Sequence, residues 1–160
     1  MAGESRRQLI LEELKRRLGT ILTENEFQTN VGQKVYFGEL PKLGPHDADG
    51  AVALIPMEDQ VDDAQVGKVS IVLPVNMVAV AKPSLSEPWV IVEQIIADIK
   101  KAIESGDRSL GGLLAAGKNN TEGLMRGSTE TAPRNSGSEV VAAMVTYGCH
   151  YREAWGDPAA

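Results

Sequence analysis

The chain has 160 residues, 42% of them apolar and 24% charged, a balance that suits one globular domain with its own core and excludes a disordered chain. Its formal charge of −6 and pI near 5.0 exclude a phosphate-binding surface over the whole molecule, and the single Cys149 excludes an intramolecular disulfide. No run reaches the ~18–20 apolar residues that cross a bilayer, so no membrane partner is expected.

Residues 4–22 carry the first helical pattern. Leu11, Leu14, Leu18, Ile21 and Leu22 recur at three- and four-residue spacing, and Gly19 marks the end. Between them lie Glu12, Glu13, Lys15, Arg16 and Arg17, a mixed solvated face rather than a basic contact for nucleic acid. Charges interspersed with leucines through residue 18 lack the layout of a signal peptide, so the protein is expected to act where it is made.

Val35, Tyr36 and Phe37 read as a short strand, followed by a loop containing Pro41, Gly44, Pro45 and Gly50. The apolar run 51–55, stopped by Pro56, predicts a buried strand. Residues 58–65, EDQVDDAQ, predict an acidic turn or loop. Over 67–82, Val69, Ile71, Leu73, Val75, Met77 and Ala79 alternate on one face of a long strand. Pro74 has no N–H to give a ladder and predicts an edge strand or a bulge there.

A second helix opens at 86–89, with Ser86 as N-cap and Pro88 in its first turn. Its apolar face is Trp89, Val92, Ile96, Ile99 and Ile103, widened by Ile95 and Ala102, and Gly106 stands where a helix-ending glycine belongs. Residues 119–138 are polar and rich in Gly, Ser and Thr, and predict a mobile loop or arm. A last strand over 138–151 puts Val141, Ala143, Val145, Tyr147 and Tyr151 on one face, and 152–160 reads as an extended C-terminal tail. There is no internal repeat and no linker, so residues 1–160 are one domain. The fold class is α+β: a mostly antiparallel sheet with two helices packed on one face.

Several stretches carry residue types that do chemistry. GLLAAGKN over 112–119 satisfies the P-loop spacing except at Asn119, where the magnesium-binding hydroxyl should be, and it follows a helix instead of a strand. It reads as an apolar turn bounded by glycines. His46, Asp47 and Asp49 could supply ligands from a loop, but only His150 elsewhere could add to them, so a polar loop is the better reading. Cys149 and His150 are neighbours on a strand and point to opposite faces, which makes Cys149 a buried inert thiol. The formal sequon at 119–121 carries no meaning without a secretory signal. No catalytic residue, metal or cofactor is expected, and the protein is not expected to be an enzyme.

Three stretches, taken together, point to a family. The helix over 88–104 is followed by SGDRSLGGL at 105–113, the last strand exits through YREAWGDP at 151–158, and an N-terminal helix precedes a Leu40-Pro41 loop and the strand 51–55. This arrangement resembles the tail-terminator (tail completion) proteins of long-tailed bacteriophages and their prophage relatives, over nearly the whole chain. The polar 119–138 stretch and the few charges on the last strand depart from it. The resemblance implies a homo-oligomeric ring, six subunits in such phages, that caps the tail tube, ends its polymerisation and presents the head-joining surface. It implies partners among its own copies, the tail-tube protein and a head–tail connector or neck protein, and a place in the virion tail after assembly in the bacterial cytoplasm.

Arg126, Arg134, Tyr151, Arg152 and Trp155 are the candidate partner contacts. Glu58, Asp59, Asp62 and Asp63 either face the ring's channel, where they would let DNA pass without binding, or lie on its outer rim. The alternatives are a head–tail connector or neck-stopper ring, a nucleotide-binding enzyme built on 112–119, and a small-molecule-binding domain of the host.

Overall fold

Helix α1 (Arg6–Leu18) begins where the Ser5 hydroxyl accepts a hydrogen bond from the Gln8 amide at 3.1 Å, and it ends where Gly19 donates back to Lys15. The computed structural model describes residues 3–43, 50–82, 87–116, 123–132 and 140–159. The buried face of α1 is Ile10, Leu11, Leu14 and Leu18, joined by one cation, Arg17. Its guanidinium donates to the carbonyls of Ile103 at 2.9 Å and Asp107 at 2.6 Å, so α1 satisfies carbonyls at the end of the second helix, α2 (Pro88–Glu104).

Strands β1 (Val35–Phe37), β2 (Gly50–Pro56), β3 (Gln60–Gln65), β4 (Lys68–Ala81), β5 (Leu124–Ala132) and β6 (Val141–Ala154) form one mixed sheet among the described residues. The order is β1-β2-β4-β6-β5, with β3 also paired to β4. Only β1–β2 is parallel; the other pairs are antiparallel. Every residue of β4 has a partner on β6, from Lys68 opposite Ala154 to Ala81 opposite Val141. The alternation in these two strands works as the sequence predicts. Val69, Ile71, Leu73, Val75, Met77 and Ala79 are buried beside Val141, Ala143, Val145, Tyr147, Cys149 and Tyr151, and both helices pack on that face. Each fully buried aliphatic side chain there, such as Ile99 or Leu14, contributes about 1.5–3 kcal/mol from area removed from water. The fold is α+β, with two helices on one face of the sheet.

Four expectations are corrected. Pro74 lies in the middle of the central strand, neither on an edge nor at a break in the β4–β6 ladder. Its carbonyl accepts from the Met57 amide at 2.8 Å, and the nitrogen of a strand residue faces the same side as its carbonyl. That side is the seam between β2, which ends with Pro56 opposite Val75, and β3, which starts with Gln60 opposite Val72. The missing donor therefore falls where no strand needs it. Residues 60–65, read as turn or loop, are strand β3: Gln65 to Lys68 is a tight hairpin whose Gly67 takes φ +87, and the carboxylates are tolerated because the strand's free edge faces solvent. The centre of the 119–138 stretch is not an irregular arm, since 124–132 pair with β6 as strand β5. Trp89, placed on the apolar face of α2, is 65% exposed, and its indole N–H is satisfied by Glu87 at 2.8 Å.

The helix α2 is otherwise as predicted, with Val92, Ile95, Ile96, Ile99, Ala102 and Ile103 buried and Gly106 at φ +81. The expected cap Ser86 lies outside the described residues; Glu87 occupies the cap position without a side-chain bond. Beyond α2, the Asp107 carboxylate accepts from the Ser109 amide at 2.9 Å, the Ser109 hydroxyl at 2.6 Å and the Gly111 amide at 2.9 Å. These bonds hold a loop in which Leu110, Gly111 and Gly112 all have positive φ, and they direct Leu110 and Leu114 into the core. No helix among the described residues is long and apolar enough to cross a membrane.

Candidate functional site

Pairing of β3 with β4 and of β4 with β6 brings the acidic run and the YREAWGDP segment, some ninety residues apart in the chain, to one end of the sheet. Asp63, Ser70 and Arg152 form one row across three strands; Ala64, Val69 and Glu153 form the next. At the tip, the Trp155 amide donates to the Gly67 carbonyl at 3.3 Å, which sets Trp155, 63% exposed, beside Val66, whose side chain is wholly in solvent. Val61, on the same hairpin, is 66% exposed. The chain after β6 does not run on as an extended tail: it turns, Asp157 bridges to Ala154, and the Pro158 carbonyl accepts from the Arg6 amide at the start of α1. Three large apolar side chains, Val61, Val66 and Trp155, thus stand in water on one hairpin and its neighbouring turn.

The carboxylates of the run do not make a uniform wall. Asp59 is paired with Arg7 at 3.1 Å, and an Asp62 oxygen lies 3.7 Å from the His150 ring. Glu58 is exposed. Tyr151, expected at a partner interface, is a core residue: it is 1% exposed, on the inward face of β6. Burial, with Glu153 and Asp59 nearby, pushes its hydroxyl up to about 12. Arg152 and Trp155 are exposed as a contact role requires.

Arg126 stands elsewhere. From edge strand β5 it grips Glu104 of α2 with two hydrogen bonds, at 2.9 and 2.5 Å, and the Tyr147 hydroxyl donates to the same carboxylate at 2.6 Å. Partial burial opposes the charge on Glu104, but the Arg126 guanidinium and the Tyr147 hydroxyl outweigh it and hold the carboxyl below its ordinary range. Arg126 thus fastens β5 to α2. Arg134 lies outside the described residues, as do His46, Asp47, Asp49, Lys118 and Asn119. The first half of the near P-loop, 112–116, is turn and irregular chain, with Leu114 packed in the core. Cys149 is fully buried, and burial pushes its thiol up to about 12, far from nucleophile range.

A second feature lies near the N-terminal half of α1. Between this helix and edge strand β1 runs a groove of about 430 Å³, lined by Ser5, Arg7, Gln8, Leu11, Glu12 and Phe37, with Phe37 48% exposed. Sequence reading missed both the groove and Val66. Val66 was within reach, because Val-Gly between the polar alternation of 60–65 and the apolar one of 68–81 is a hairpin signal. The groove had no signal, since it depends on how far α1 overlaps β1. Compared with known proteins, the chain matches no family model and no curated protein.

Proposed function

We propose that the protein is a structural assembly subunit of the tail-terminator kind. Copies of it form a ring on the finished tail tube of a long-tailed phage, end tube growth and offer the head-joining surface. The reading assigns it no catalytic chemistry and no cofactor. The observation that supports it best is the hairpin end of the sheet, where Val66, Val61 and Trp155 stand exposed beside the cross-strand row Asp63, Ser70 and Arg152. A ring made from one kind of subunit needs two different surfaces that meet head to tail. The hairpin end and the groove beside Phe37 are two such surfaces on this chain.

The resemblance in the segments 105–113 and 151–158 gives the reading its biological setting. Segment 105–113 folds as a constrained turn at the ends of α1 and α2, and 151–158 runs from the end of β6 into a turn held against the start of α1, which suits parts that must keep one shape in an assembly. Deleting the gene should give tails of uncontrolled length and heads without tails in electron micrographs. Tails of normal length in the deletion would overturn the terminator reading. Normal tails combined with heads that fail to join or to keep their genome would transfer the protein to the neck-stopper class.

A further inference from the structure

His150 lies on the face of β6 opposite the core, yet it is 3% exposed. Its backbone bonds two described residues: the Ala115 amide donates to the His150 carbonyl, and the His150 amide donates to the Gly123 carbonyl, each at 2.8 Å. Its ring Nδ1 is 2.7 Å from the Ala115 carbonyl oxygen. A carbonyl only accepts, so Nδ1 carries a proton and the neutral ring has its lone pair on Nε2. That Nε2 has under 1 Å² of accessible area and no hydrogen-bond partner. Facing it at 3.7 Å is Asp62, the residue at which the β3–β4 register slips between Val61 and Asp63.

A neutral ring therefore buries an acceptor against a carboxylate, with nothing between them to donate. One added proton changes the pair into a charge-assisted contact between Nε2–H and Asp62. We propose that His150 and Asp62 form a proton-operated latch that holds the β3 hairpin to β6 when the ring is protonated and loosens it when the ring is neutral. Among the described residues, two other charged groups lie on this face near the ring. Arg152 lies two residues along β6 on the same face, and Asp63 lies across Ser70 from it. The facing part of β4 brings Ser70, Val72 and Pro74, and Gly123 and Ala115 bring only backbone. Arg152 and burial oppose a charge on the ring, Asp63 favours it, and Asp62 is the carboxylate that stands 3.7 Å from Nε2.

The latch concerns the chain by itself and does not depend on what the hairpin end docks with. Its direction follows from the partner: the hold is complete while Nε2 carries a proton and is lost when that proton leaves, so it weakens as pH rises. Hydrogen exchange on the full chain tests it. Between about pH 5.5 and 8.5, protection of the 60–65 amides, corrected for intrinsic exchange and taken relative to β4, should fall about tenfold. Asp62→Asn should show the weak protection at both pH values, and so should His150→Gln. Should His150→Gln fail to fold, Asp62→Asn carries the test, because Asp62 is half exposed and its loss leaves the core intact. A native chain whose hairpin protection does not change with pH, or an Asp62→Asn chain that keeps the full change, overturns the proposal. So does a change that chelation with EDTA abolishes, since a metal ion would then be bridging the pair.

Discussion

Asp98 sits on the buried side of α2, 2% exposed, and accepts hydrogen bonds from the amides of Gln28 and Thr29 and from the Thr29 hydroxyl at 2.7–3.1 Å. It anchors the chain between α1 and β1 to the helix, a role that no spacing in the sequence announces because its partners are mostly backbone. Replacing it with Ala leaves the Thr29 amide and hydroxyl buried and unpaired, and Asp98→Ala should lose about 3 kcal/mol of stability in chemical denaturation. Glu13 illustrates a different dependence. Hydrogen bonds from Arg16 and Arg17, with partial burial opposing them, lower its carboxyl from 4.5 to about 2. A carboxyl depressed in the folded state adds stability above its unfolded pKa, and that stability is lost as pH falls from 4.5 through about 2. Thermal unfolding of native protein and Glu13→Gln should differ at about pH 6 and converge toward about pH 2.

Among elements, those with a strong apolar period were legible and those on edges were not. The helix α2 and strands β4 and β6 declare themselves because each buries one side chain in two or in three to four, and the core accepts the pattern unchanged. Strands β3 and β5 are polar, and their identity comes from the neighbour that pairs with them, β4 or β6, so their own residues carry almost no signal. Pro74 misled for a related reason: the rule about proline in strands is local, while the seam that accommodates it is made by two other strands. Of the candidate site, the acidic run and Trp155 were found, whereas their convergence was not, since it required β3 to be a strand. Glycine positions separate tight packing from backbone freedom. A Cβ on Gly32 would meet the Leu18 oxygen at 2.5 Å and the Ile21 backbone at 2.8 Å, whereas one on Gly67 would meet nothing within 4 Å. Gly32→Ala should therefore cost about 3 kcal/mol or prevent folding, and Gly67→Ala about 1 kcal/mol from its positive φ, both read from denaturation midpoints.

For the molecule as a whole, the proposed docking end and the core are physically separate, which makes assembly and stability separable. Val66 and Trp155 stand in solvent, so Val66→Ser with Trp155→Ala should leave the unfolding free energy within about 0.5 kcal/mol of native. If the hairpin end makes the ring contact, the same double variant should fail to complement a deletion strain, with tails as long and uneven as those of the deletion. A variant that caps tails normally would remove the hairpin end from the interface and leave the groove beside Phe37 as the surface to change next.

The position of β6 has a consequence for synthesis. It follows β5 in the chain, yet it lies between β5 and β4, and it is the strand that joins them. A ribosome therefore delivers β5 at a moment when β6, its neighbour among the described residues, does not yet exist, and leaves one full edge of the fourteen-residue β4 bare over the same interval. Long bare strand edges invite pairing with other chains. The interval in which residues 124–154 emerge is thus when the nascent protein is most exposed to aggregation and most in need of a chaperone, and a translational pause there should lower soluble yield more than a pause anywhere earlier.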